Sequence, residues 1–193
     1  MRMAEQTENN VVRCSWCGND PLYIKYHDEE WGKPVYDDKT LFEFLILEGA
    51  QAGLSWITIL RRRDGYRQAF ADFDVQKVAA FDEGDVARLM NDPGIIRNRL
   101  KVQAAISNAK LFISIQEEFG SFADYIWGFL PDKKPVVNNF VDHSTTPVRT
   151  EISDAISKDM KKRGFKFFGT TICYAHMQAT GMVNDHIIDC IAR

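Results

Sequence analysis

No apolar run in this chain approaches the ~20 residues that a helical membrane span requires, so the sequence offers no such span. Positive charge is not in excess: Lys and Arg number 24 against 27 Asp and Glu, a formal net charge of −3. That excludes a uniformly basic nucleic-acid coat and leaves room for a local basic footprint. Proline is scarce, and three of the six, Pro131, Pro135 and Pro147, fall in one polar stretch. There is no internal repeat, no low-complexity tract and no run of alternating polar and apolar residues long enough to predict strands. The start, Met1 to Asn10, is polar and acidic, unlike a secretory signal or transit peptide. With only four cysteines, the chain is expected in a reducing cytoplasm. There, cysteines bind metal, react or fill core more often than they form disulfides.

What remains is a 193-residue chain with 45% hydrophobic and 26% charged residues, the balance of a folded globular protein. Residues 1–12 read as a flexible tail. Residues 13 to 38 are crowded with Cys, Trp, Tyr, His, Gly and Pro and show no sustained period. Helical signals follow. Thr40-Leu41-Phe42-Glu43 has the form of a capping box opening an apolar segment to Glu48. Gly53 breaks that segment, and Ser55 is placed to cap a helix from Trp56 to Arg63. Asp74 and Asp85 are placed to cap two short helices. A long helix is predicted from Arg99 to Phe119, with Val102, Ala105, Ala109 and Phe112 facing the core and Gly120 ending it. Ser121 caps a piece from Phe122 to Phe129, and residues 130 to 150 read as an excursion. Helices resume from Ser153 to Arg163, from Thr170 to Thr180 and, briefly, from Asn184 to Ile191. The fold class is all-α.

His186 and Cys190, four apart in the last segment, would share a helix face. The irregular N-terminal stretch offers Cys14, Cys17 and His27 as partners. Two of these with His186 and Cys190 would make a closed Cys2His2 zinc site that clips the two chain ends together. Cysteines and histidines are also ordinary buried residues, and spacing alone leaves both the metal and the choice between Cys14 and Cys17 open. Cys173, inside an apolar helix, reads as core.

Glu48 closes an apolar run and has no capping role to explain it. Small residues follow, then Leu54 and Trp56, while the irregular stretch supplies Trp16, Tyr23, Tyr26 and Trp31. A carboxylate walled by aromatics would receive a flat cationic ring by stacking, cation–π attraction and ring N–H bonds. The opposing possibility is a surface glutamate at the end of an exposed helix. Lys161 to Thr171 places Gly164 and Gly169 around a hairpin between two helices. Free N–H groups at Gly169-Thr170-Thr171 and nearby Lys166 suit a phosphate. Arg61-Arg62-Arg63 and Arg97, Arg99 and Lys101 are further basic groups for the same groove.

Several strings in this chain resemble the DNA-3-methyladenine glycosylase I family of the helix-hairpin-helix superfamily. They are Asp20-Pro21-Leu22-Tyr23-Ile24-Lys25-Tyr26-His27-Asp28-Glu29-Glu30-Trp31-Gly32, Leu47-Glu48-Gly49-Ala50-Gln51-Ala52-Gly53-Leu54-Ser55-Trp56, Pro93-Gly94-Ile95-Ile96-Arg97, Lys161 to Tyr174, and Val183-Asn184-Asp185-His186. The resemblance covers about Arg13 to Cys190. It implies a helix-hairpin-helix glycosylase fold with a hairpin at 164–169. Residues 13–38 and 182–193 would form zinc-binding terminal segments around a helical core at 39–181.

The resemblance further implies one structural zinc on Cys14, His27, His186 and Cys190, with Cys17 incidental. Glu48 and Tyr26 become the catalytic, base-bonding pair, and Tyr23, Trp56 and Trp16 the ring walls. Leu54 and Gly53 fall at the gap left by a flipped nucleotide, with Gly164, Lys166, Gly169, Thr170 and Thr171 on the DNA. The implied activity is hydrolysis of the N-glycosidic bond of 3-methyladenine in alkylated double-stranded DNA, in base-excision repair. The free base would be the product and the enzyme a monomer. Asn184 stands where many members of the superfamily carry an Asp, and Thr171 where lyase members carry a Lys, so no strand-cleaving activity is expected. The alternative is a non-catalytic DNA- or base-binding module of the same fold.

Overall fold

The computed structural model describes residues 11–193, so most of the expected 1–12 tail lies outside the described residues. Among them, helix dominates: α1 (Pro21–Glu29), α2 (Asp38–Gln51), α3 (Trp56–Leu60), α4 (Arg63–Ala69), α5 (Val75–Ala79), α6 (Glu83–Met90), α7 (Arg99–Phe119), α8 (Phe122–Trp127), α9 (Glu151–Arg163) and α10 (Thr170–Ala179). Two residues of β1 (Val136–Val137) pair in parallel with β2 (Val183–Asn184), the one departure from the expected absence of strands.

α2 is the centre of the molecule. Every residue from Leu41 to Glu48 is buried, the condition of a helix packed on all sides rather than along one stripe. α7 packs along it, with α5, α6 and α8 against α7, and the α9–α10 hairpin closes the other side. In this core Phe112 stacks on Phe122, ring centroids 4.1 Å apart, and meets Phe42 edge-on.

Several helix starts differ from expectation for a local reason. Asp37, not Thr40, caps α2 by accepting from Lys39 and Thr40 N–H, so Glu43 is free of capping and is instead salt-bridged to Arg63 and Arg67. Asp82 caps α6, and Asp85 is the reciprocal member of that capping box. Ser55 precedes α3 in extended conformation, but its hydroxyl bonds Thr58 rather than the backbone. α3 ends at Leu60, and α8 at Trp127 rather than Phe129. Asp74, Asn98 and Ser121 do cap their helices.

Both terminal segments correct the sequence reading. Residues 13 to 38 are not without helix: Asp20 caps α1 and Pro21 occupies its first turn. The predicted helix from Asn184 to Ile191 does not form. Asn184 Oδ1 accepts from His186 N–H, and the Asp185 carboxylate accepts from Asn138 Nδ2, Tyr174 OH and Gln178 Nε2. Short polar side chains that bond locally or to distant donors compete with helical backbone bonding. His186 and Cys190 are therefore brought together by irregular backbone.

The two ends of the chain meet at Gly181, whose φ is +66°. A Cβ there would lie 2.2 Å from the Lys33 carbonyl carbon, so only glycine permits this approach. Val35 N–H to Thr180 O (3.0 Å) and Gly32 N–H to Gln178 O (2.9 Å) complete the junction.

Asp38 has a second role as a cross-link. Its carboxylate accepts from Gln116 Nε2 (2.7 Å) and from the N–H groups of Phe122 and Ala123 (2.9 Å each), anchoring the start of α8 to the start of α2. Asp38→Ala is expected to cost about 2 kcal/mol, the worth of a charge-assisted cluster. Urea unfolding would show this as a lower midpoint at unchanged slope.

Candidate functional site

Cys14, His27, His186 and Cys190 lie together and buried, all four potential ligand atoms within 4.8 Å of one another. Cys14 Sγ is 3.5 Å from His186 Nδ1, and Cys190 Sγ is 3.3 Å from His186 Nδ1 and 3.4 Å from His27 Nε2. Ligands about 2.0–2.3 Å from a tetrahedral ion sit roughly 3.5 Å from each other, which these separations match. The second ring nitrogens are spoken for: His27 Nδ1–H donates to Asp28 Oδ1 (2.6 Å) and His186 Nε2–H to the Trp31 carbonyl (3.0 Å). Asp28 is in turn held by Arg13. Such outer partners fix the tautomer that turns the remaining nitrogen toward a metal. Burial pushes the Cys14 thiol up to about 12 and His186 down to about 4, so the histidine is neutral and the thiolate needs a cation to stabilise it. Cys17 stands outside this group, its thiol donating to the Cys14 carbonyl. Four such donors would fill a tetrahedral ion's coordination and leave no open position.

Next to this cluster a cavity of about 210 Å³ is lined by Trp16, Tyr23, Tyr26, Trp31, Glu48, Gln51, Trp56, His143, Ala175, Gln178 and Ala179. All five residues expected of a base pocket, Glu48, Tyr26, Tyr23, Trp56 and Trp16, are here. Ring centroids stand 5.1 Å apart for Trp16–Tyr23, 4.8 Å for Trp16–Trp31 and 5.6 Å for Tyr26–Trp56. The indole N–H groups of Trp16 and Trp56 and Nε2 of His143 are buried with no partner among the described residues. A polar ligand is one way to satisfy them.

Glu48 is 1% exposed, which removes the reading of a surface helix end. α2 continues past it to Gln51. His176 Nδ1–H on α10 donates to its Oε2 at 2.9 Å, leaving the other oxygen for the cavity. Burial raises the Glu48 carboxyl above the ordinary carboxylate value, and His176 opposes that rise. Burial and the nearby Glu48 hold the Tyr26 phenol well above its usual value, so it remains a donor. The site thus presents an acceptor, a donor and aromatic faces, the chemistry of a receptor for a flat nitrogenous ring.

The sequence reading missed His176, His143, Gln51 and Gln178. Ala175, Gln178 and Ala179 recur at helical spacing and share one face of α10, which lines the cavity. No local pattern flags His143, which arrives from the 130–150 excursion.

Gly53, at φ +81°, turns the chain between α2 and α3 and leaves Leu54 40% exposed. At the far hairpin Gly164 ends α9, and Lys166, Gly169 and Thr171 are exposed. Gly169 begins α10 without a side-chain cap, leaving first-turn N–H groups for an anion. The Thr170 hydroxyl is instead occupied, donating to Asp154 and paired with Ser153. Several of the other basic residues are paired within the protein. Arg63 is pinned by Glu30 and Glu43, Arg61 by Asp20 and Arg99 by Glu83, while Lys101 turns inward.

A model of the methyladenine glycosylase family matches residues 16–193. The DNA-3-methyladenine glycosylase 1 of Escherichia coli strain K12 is 53% identical over 180 residues, 93% of this chain and 96% of that protein. A crystal structure of a 3-methyladenine DNA glycosylase I superposes with a TM-score of 0.91 at 51% identity, covering 94% of this chain and 100% of the other. The Staphylococcus aureus enzyme, whose structure was determined to explain 3-methyladenine recognition, gives 0.90 at 37% identity over 93% and 95% of the two chains. A match of this extent, in sequence and in fold, places the chain in the DNA-3-methyladenine glycosylase I family.

Proposed function

We infer that this protein excises 3-methyladenine from alkylated duplex DNA in base-excision repair, hydrolysing the N-glycosidic bond and leaving an abasic site without cutting the strand. The observation that carries the reading is a buried carboxylate, Glu48, on the wall of an otherwise aromatic cavity. Methylation at N3 gives the nucleoside purine a positive charge, and a carboxylate in a low-dielectric site favours that ring over undamaged bases. In this reading Glu48 accepts hydrogen bonds from the base edge, Tyr26 donates to it, and Tyr23, Trp56 and Trp16 hold its faces.

The charged base leaves as a neutral purine as the bond electrons pass to its ring nitrogen, so no prior protonation by a general acid is required. Water adds to the sugar carbon. The work of the protein is extrusion and selection: the lesion rotates out of the stack into the cavity, and Leu54 fills the space it leaves. Gly164, Lys166, Gly169 and the first-turn N–H groups of Thr170 and Thr171 hold backbone phosphate at the hairpin, which we assign to the helix-hairpin-helix class. Thr171, in the place of a lyase lysine, fits glycosylase chemistry alone.

Zinc is the metal that the Cys2His2 donor set of Cys14, His27, His186 and Cys190 suits, in a structural role. It would join segments 13–38 and 182–193 around the core of 39–181, and so hold Trp16, Tyr23, Tyr26 and Trp31 on one side of the cavity. The enzyme is read as a cytoplasmic monomer.

Glu48→Gln is expected to weaken binding of free 3-methyladenine by ten- to a hundred-fold, about 1.4–2.8 kcal/mol, and to slow its release from methylated DNA. Tryptophan fluorescence and chromatography of released bases measure the two, and unchanged values would refute the role. Because burial raises the Glu48 carboxyl, base binding should weaken as pH falls through a midpoint above the ordinary carboxylate range. Glu48→Gln should abolish that acid limb. His186→Ala should remove one equivalent of metal and lower the thermal midpoint. Wild-type protein that stays metal-free with full thermal stability would contradict the structural assignment.

A further inference from the structure

α7 carries two polar side chains, Lys101 and Asn108, that turn inward instead of toward solvent. They are seven residues apart and so lie on one helix face. Lys101 Nζ donates to the carbonyls of Ala50 (2.8 Å) and Ala52 (2.6 Å), at the end of α2 where the chain turns into Gly53-Leu54. Asn108 spans both backbone groups of one hairpin residue: Nδ2 donates to Lys166 O and Oδ1 accepts from Lys166 N–H, each at 2.9 Å. One rigid helix thereby holds both loops that face DNA in the reading above.

Two further observations bear on this. Phe167, next to the residue Asn108 grips, has φ +54°, a left-handed conformation that a bulky side chain adopts only when its surroundings impose it. A Cβ on Gly49 would lie 3.8 Å from Phe167 Cβ, so the hairpin packs on the same end of α2 that Lys101 holds. Lys101, Asn108, Ala50, Lys166 and Phe167 line one small cavity between the two loops. Burial also lowers the Lys101 ammonium, a cost the chain bears for a cation that, among the described residues, bonds carbonyls and no carboxylate.

We propose that Lys101 and Asn108 are positioning residues that set the spacing between the Leu54 turn and the 164–169 hairpin, so that wedge and phosphate grip engage one duplex together. The proposal rests on the assignment of those two loops to DNA. It separates two demands on the protein: base recognition, built by α1, α2 and α10, and duplex engagement, registered from α7. Displacing a positioned group by about 1 Å can cost as much as a hundred-fold in rate.

The test compares Lys101→Met, Asn108→Ala and Lys101→Arg with wild type in the full-length protein. Three quantities are measured: affinity for free 3-methyladenine, affinity for a duplex carrying an abasic site, and single-turnover base release from methylated duplex. Lys101→Met and Asn108→Ala should keep free-base affinity within about twofold while duplex affinity and base release fall about tenfold. Lys101→Arg, which retains a donor to the two carbonyls, should recover most of the loss. Parallel loss of free-base and duplex binding would reduce both residues to general stability and overturn the proposal. So would unchanged duplex handling in Lys101→Met and Asn108→Ala. Leu54→Ala is the control: if it slows base release while those two variants do not, the DNA assignment stands and this inference falls. If Leu54→Ala also changes nothing, the wedge assignment itself fails and carries the inference with it.

Discussion

A carboxylate removed from water and set among aromatic rings is the constraint around which the rest of this protein is arranged. Leaving Glu48 at 1% exposure costs solvation that a single histidine bond only partly returns. In the proposed function, the remaining deficit gives the cavity its preference, because a cationic ring entering it supplies the missing counter-charge. A well-satisfied Glu48, ringed by arginines or backbone N–H groups, would have no such preference. Arg63 shows the contrast: it is spent on Glu30 and Glu43, and reaches Phe44 by its face, away from the cavity.

The fold answers that constraint with two kinds of support. From Leu41 to Glu48 α2 is buried on every side, so Glu48 is carried into the centre by a stretch that has no exposed face to which it could rotate. α10 packs against α2, bringing His176 to one carboxylate oxygen and Gln178 to the cavity. The aromatic walls come mostly from the N-terminal segment, where no large apolar core of its own would fix them. There the Cys/His cluster, its Asp28 and Trp31 partners, and the close approach at Gly181 hold the segment to the C-terminus. The buried Asp185, with three donors from the excursion and α10, ties the same corner.

Where sequence patterns involve neighbours in the chain, they were readable. The Arg99–Phe119 helix and its Gly120 stop follow from periodicity and local bonding, and the helical hairpin from its two glycines. Where a side chain had two possible partners, the reading failed in a physical way. Glu43 fits a capping box on paper, but two arginines from α4 outbid the backbone. The Asn184–Ile191 helix gave way to distant donors that captured Asp185. His143 and His176 carry no motif that marks them.

The strings around Tyr26, Glu48 and the hairpin were enough to name the family and to single out the residues that gather in the Cys/His cluster and the ring-lined cavity. Those are matters of residue identity, which evolution writes directly into the chain. Which oxygen of Glu48 stays open, which ring nitrogens turn toward a metal, and which basic residues face solvent were decided only by folding. The bonds that decide most of this, His176 to Glu48 and His186 to the Trp31 carbonyl, join residues more than a hundred positions apart, and such a bond exists only once the entropy of closing that distance has been overcome by the packing of the whole.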